Sequence, residues 1–210
     1  MQQQIQNLIT TAFDGFYPKV IISYATEQRP GPTGDAEGAG PGMLIAAEVI
    51  TAFFKEDIPC FSGLMTQAGN NWHEFLLRIA HPNARFLIVL LSKAFFRSTA
   101  CLKEVHKAIE KGLVIIPVRV EEPERRASID IARDTESLWP DATIERYARS
   151  EWRNETVYLT TLKEIQLQRF AVRDKLGNLN TLPERGSLFG YSTGLQDLVS
   201  RVRGIAYPQS

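Results

Sequence analysis

The sequence predicts an α/β fold, a parallel β-sheet with helices on both faces, from three observations. Four short runs, Lys19–Tyr24, Ile58–Phe61, Phe86–Leu91 and Leu113–Val118, are β-branched or wholly apolar, as strands covered on two sides are. Stretches of helical length and spacing separate them, and right-handed crossovers between such strands give a parallel sheet. The 210 residues, 44% hydrophobic and 23% charged, suffice for one domain with a buried core.

In chain order, Met1–Phe16 is a Gln-rich lead with Ile5, Leu8, Ile9 and Phe13 at helical spacing. It reads as an extension over 1–18, ahead of a domain over 19–206. Val20–Ile22 form the first strand, and Ser23 and Tyr24 fall at its carboxyl end, where they are expected at a rim and contribute little to the core. Arg29–Met43 is dense in Gly and Pro and reads as a long loop; its glycines lack the spacing of a dinucleotide-binding turn. Met43–Glu56 is apolar almost all round, which predicts a helix packed between the sheet and its neighbours. Ile58–Phe61 is the second strand, with Pro59 near its start, and Ser62–Asn71 is a second loop on the same edge.

Trp72 opens a helix that ends before the His81–Pro82 break. Phe86–Leu91 is the most apolar run and the expected central strand; Ser98 is placed to cap the helix that follows. After the fourth strand, 121–155 is charge-rich, with short helices and loops broken at Trp139–Pro140. Tyr158, Leu162, Ile165, Val172 and Leu176 predict a longer amphipathic helix. Ser187–Phe189 reads as a short edge strand. Leu195, Leu198, Val199, Val202 and Ile205 predict a closing helix with Thr193 as its cap.

Composition removes several function classes. The 24 basic and 24 acidic side chains cancel, so no overall positive field favours nucleic acid or an anionic membrane as partner. Cys60 and Cys101 lie in apolar segments rather than a spaced framework, which suits a reducing compartment. No apolar run has the length of a membrane span and the N-terminus lacks the pattern of a signal peptide, so a cytoplasmic protein is expected. His73, His81 and His106 are scattered without Cys or carboxylate at ligand spacing, and no metal site is expected. Neither a nucleophile elbow nor a phosphate-binding G-x-x-x-x-G-K-[ST] motif occurs. Asn154–Thr156 matches a glycosylation acceptor, which in an intracellular chain is accidental.

In an open parallel sheet, ligands bind outside the carboxyl ends of the strands. That rule gathers Ser23, Tyr24, both long loops and the start of the Ser98 helix. On this helix Leu102, Val105 and Ile109 define the buried stripe, and Glu104 lies beside it among Ala100, Cys101 and Ala108, with no basic residue at i±4. Spacing alone favours a solvated carboxylate loosely paired with Lys107 at i+3.

Val20–Tyr24, the strand and loop leading to Trp72, Phe86–Ser92 and Ser98–Glu104 resemble, in order and spacing, the successive boxes of a Toll/interleukin receptor (TIR) domain. The likeness covers about Lys19 to Val118 and implies a flavodoxin-like sheet with helices on both faces. It divides the expected function in two: adaptors that only assemble, and enzymes that cleave NAD+ at the nicotinamide–ribose bond. In the enzymes a glutamate in the helix after the third strand is catalytic, and Glu104 occupies that position. By the same resemblance Ser23, Tyr24, Trp72, Ser98 and Cys101 border the substrate. NAD+ enters as substrate with no further cofactor, and self-association or other TIR domains are the expected partners. The chain departs from the family where Ser62 and Gly63 follow Phe61 in place of an acidic residue, in a longer first loop, and in an enlarged region at about 121–186. The enzyme is the preferred expectation and the non-enzymatic adaptor its rival, with a nucleoside-processing transferase as a third class.

Overall fold

In the computed structural model, residues 17–26, 29–30, 36–37, 41–65, 73–92, 94–120, 141–150, 154–180, 182 and 194–206 are described. The strands are β1 (Val20–Ser23), β2 (Arg29–Pro30), β3 (Ala36–Glu37), β4 (Cys60–Ser62), β5 (Phe86–Leu91) and β6 (Val114–Arg119). The helices are α1 (Pro41–Lys55), α2 (His73–Ala80), α3 (Thr99–Glu110), α4 (Asp141–Ser150), α5 (Glu155–Gly177) and α6 (Gly194–Ala206). β2 and β3 pair antiparallel inside the Gly/Pro-rich stretch, a short ladder that the loop reading did not foresee.

The main sheet has the order β4-β1-β5-β6 and is parallel throughout. Chain order reverses at β1: the chain steps to β4 on one side, then crosses back to β5 on the other. Such a reversal opens a crevice at the carboxyl ends of β1 and β5. At the far edge Leu182 bridges Val118 in parallel, its N–H donating to Pro117 O at 2.9 Å while its carbonyl accepts from Arg119 N at 2.8 Å. The edge strand expected at Ser187–Phe189 lies outside the described residues, as do 1–16, Trp72 and Thr193.

Side chains alternate across the pleat and build two cores. On one face Ile21, Leu87, Val89, Leu91 and Ile115 pack with Phe75 and Ile79 of α2, Leu102 and Val105 of α3, and Ile165, Val172 and Leu176 of α5. On the other, Val20, Ile22, Ile88, Leu90 and Ile116 pack with Val49 and Phe53 of α1 and Leu198 and Val202 of α6. Helices therefore cover both faces, as the alternating pattern predicts.

Details differ from the sequence reading for physical reasons. α1 buries Ala46, Val49, Ile50 and Phe53 and leaves Leu44 and Phe54 exposed, so it rests on the sheet by one face rather than being enclosed. β4 begins at Cys60 because Pro59 has no N–H to give a ladder. Residues 141–150 are one helix within the charge-rich segment. Asn154, the accidental acceptor motif, has a structural use: its side chain accepts from Val157 N at 3.0 Å and caps α5.

Candidate active site

Two strands end in a serine at the carboxyl edge and a third is followed by one, and all three serines are buried: Ser23 of β1, Ser62 of β4 and Ser92 after β5. Two of them close the turn that follows. Ser62 Oγ accepts from Leu64 N at 3.2 Å, and Ser92 Oγ accepts from Phe95 N at 3.1 Å. The position after Phe61 where the family often has an acid is thus given to a turn. Ser23 acts differently: its hydroxyl donates to Glu104 Oε2 at 2.6 Å, joining β1 to α3 across 81 residues of sequence. That distance lies within the ordinary range of O–H···O hydrogen bonds.

α3 presents the carboxylate because its start is fixed. Ser98, in extended conformation, accepts from Cys101 N at 3.3 Å and stops the helix from extending backwards. From that origin Cys101, Leu102, Glu104, Val105 and Ala108 turn inward, and Glu104 is only 8% exposed. The solvated pairing favoured by spacing is overturned, since Lys107 is held by Glu110 at 2.9 Å. The signal for burial was in the sequence: Cys101, Glu104 and Ala108 share one stripe, and two of its three members are small and apolar. Burial pushes the Glu104 carboxyl up to about 8, against the opposing pull of the Ser23 hydrogen bond.

The remaining candidates fall into place around it. Cys101 is buried, and burial together with the neighbouring Glu104 pushes its thiol up, while contacts with the Ser98 and Ser23 hydroxyls oppose this. Burial first, then Glu104 and Cys101, push the Tyr24 phenol well above its ordinary value. Both groups are therefore neutral at neutral pH, leaving Glu104 as the member of this cluster that ionises near it. Trp72 lies outside the described residues.

The rim placement of Ser23 and Tyr24 needs correcting. Ser23 is fully buried, because its hydroxyl is satisfied by the carboxylate above it. Tyr24 is half-buried and packs against the second core, its ring lying over Gly63. Tyr24→Ala is accordingly expected to lower stability by about 2 kcal/mol, while Tyr24→Phe keeps most of it. Urea unfolding checks this, and equal midpoints for wild type and Tyr24→Ala would contradict the packing role.

Among the described residues no group of three or more His, Cys, Asp or Glu side chains could hold a metal ion. No described helix is long and apolar enough to cross a membrane.

Comparison with known proteins fits this architecture. No curated protein matches the chain. The solved TIR domains of the activated Roq1 resistosome, a complex that directly recognises the pathogen effector XopQ, superpose with a TM-score of 0.56 at 18% identity. The match covers 88% of this chain and 99% of that one, and at such identity it speaks for the fold. Residues 45–148, from within α1 through most of α4 and including Glu104, match the family model described as TIR domain. Over that span the chain thus matches a TIR domain, on a parallel sheet of the same fold.

Proposed function

We propose that this TIR domain is an NAD+ nucleosidase, cleaving the nicotinamide–ribose bond to give nicotinamide and ADP-ribose or a cyclised form of it. The observation that carries the proposal is the buried Glu104 carboxyl, hydrogen-bonded by Ser23 at 2.6 Å at the crevice where chain order reverses. A carboxyl buried with no basic partner among the described residues costs stability, and such groups concentrate at sites of chemistry.

One carboxylate suits this reaction. The bond between the ribose C1′ and the nicotinamide nitrogen breaks with its electron pair going to the ring, which leaves neutral and needs no proton. The second, acid-donating carboxyl of an ordinary glycosidase is then dispensable. The ribose becomes oxocarbenium-like, and Glu104 is the anion that stabilises it. The pyridinium charge of the arriving substrate favours ionisation of a carboxyl that burial keeps near its midpoint. Water, or a nucleophile from the substrate's own adenosine half, then attacks C1′. The proton it sheds passes to the carboxylate, whose raised pKa suits it as a base. Ser23 holds Glu104 in place, the Tyr24 ring offers a stacking surface, and Ser98 and Cys101 line the approach. Self-association with copies of this chain or other TIR domains, in a cytoplasmic setting, belongs to the same proposal.

The test is direct. Purified protein, at high concentration or crowded to promote assembly, is expected to consume NAD+ and release nicotinamide in equal amounts, measured by chromatography. Inertness under every assembly condition, together with binding to other TIR domains, would instead establish an adaptor.

A further inference from the structure

The amino edge of the sheet, at the other end of the strands from Glu104, holds a second concavity. Its volume is about 280 Å³, and it lies where β5 and β6 begin and α3 ends. Among the described residues three cations line it, from three different elements: Lys19 just before β1, Arg85 just before β5, and Lys111 at the end of α3. No acidic side chain belongs to that described lining. In a chain with 24 basic and 24 acidic residues, this imbalance is local rather than inherited from composition.

Ordinary explanations account for only part of it. A cation after α3 complements the helix dipole, which covers Lys111 but not Arg85 at the start of β5. The acid adjacent in sequence, Glu110, is engaged by Lys107 at 2.9 Å and lies 3.7 Å from His106. Arg85, which also lines the concavity, is held by donating from Nη1 to Pro82 O at 3.0 Å. Two apolar side chains flank the cations and remain uncovered, Val114 at 45% and Ile205 at 47% exposure.

We propose that this concavity binds a small phosphorylated ligand of the nucleoside monophosphate class, its phosphate held by Arg85 and Lys111 and its planar body laid on Val114 and Ile205. An Arg fork with a neighbouring ammonium group matches a dianionic phosphate. The volume lies just under the about 300–1,000 Å³ usual for small-molecule sites, a size that suits a mononucleotide. The site is separate from the crevice at Glu104. The six residues of β5 place roughly 20 Å between the two edges.

The experiment titrates the isotopically labelled chain with adenosine 5′-monophosphate, adenosine and inorganic phosphate, following backbone amide resonances. With the monophosphate, saturable shifts are expected at Arg85, Gly112, Leu113 and Val114; inorganic phosphate shifts the same amides at higher concentration, and adenosine does not. The Arg85→Ala/Lys111→Ala double variant, altered only at exposed positions, is expected to weaken monophosphate binding about tenfold or more through lost charged hydrogen bonds. Glu104→Gln leaves it unchanged. Shifts confined to Ser23, Cys101 and Glu104, adenosine binding as tightly as its monophosphate, or full affinity in the double variant would each overturn the proposal.

Discussion

Glu104→Gln is expected to reduce nicotinamide release by about 10²–10³-fold or more, the scale on which removal of one charge-stabilising group acts. Glutamine keeps the volume and can still accept from Ser23, so packing around Cys101 and Ala108 is retained and the loss falls on chemistry. The decisive quantity is kcat/KM, because an interaction made only with the developing ribosyl cation lowers kcat and kcat/KM together. Glu104→Ala is a poorer probe, since it also empties a buried space. Turnover by the Gln variant within about threefold of wild type would remove Glu104 from the mechanism.

The second large effect is on stability against pH. Glu104 has an ordinary value of 4.5 and is pushed up to about 8 by burial in the folded state. Folding therefore favours its protonated form. That contribution is fully present below 4.5, where folded and unfolded chains are both protonated, and is lost progressively as pH rises to about 8. Beyond that both states are ionised and no further loss follows. Its size is on the order of a few kcal/mol. Among the described residues the groups facing Glu104 are Ser23, Tyr24 and Cys101; Ser23 does not titrate in this range, and the other two are pushed upward. Glu104→Gln is thus expected to have a nearly flat profile and to exceed wild type at alkaline pH. Parallel denaturant curves at about pH 5 and 9 make the measurement. Wild-type stability that falls no more than the variant's would show that burial of this carboxyl carries no cost.

The fold was legible because each central strand is a continuous apolar run and each covering helix repeats its apolar residues at 3.6 spacing. Phe86–Leu91 and the Leu198–Val202 pattern could hardly be read otherwise. Glu104 was found by the resemblance of its surroundings to a family, while spacing alone sent it to solvent with Lys107. Periodicity describes one helix at a time, and the group that accommodates Glu104 is a hydroxyl on another element. Ser23 was misplaced for the complementary reason: a polar residue ending a strand reads as a rim unless its distant partner is known. The basic concavity was missed because Lys19, Arg85 and Lys111 are far apart in sequence and meet only when their strands align.

The hydrogen bond between Ser23 and Glu104 also dictates how little of the chain can be discarded. The span that matches the family model starts at residue 45, after β1, so it holds Glu104 and omits Ser23. A chain trimmed to that span would lack the strand that sits between β4 and β5. Its carboxylate would have no donor, and β4 no neighbour to pair with. Formation of the site likewise waits on a contact 81 residues long, which makes it one of the slower closures during folding rather than a local event on α3.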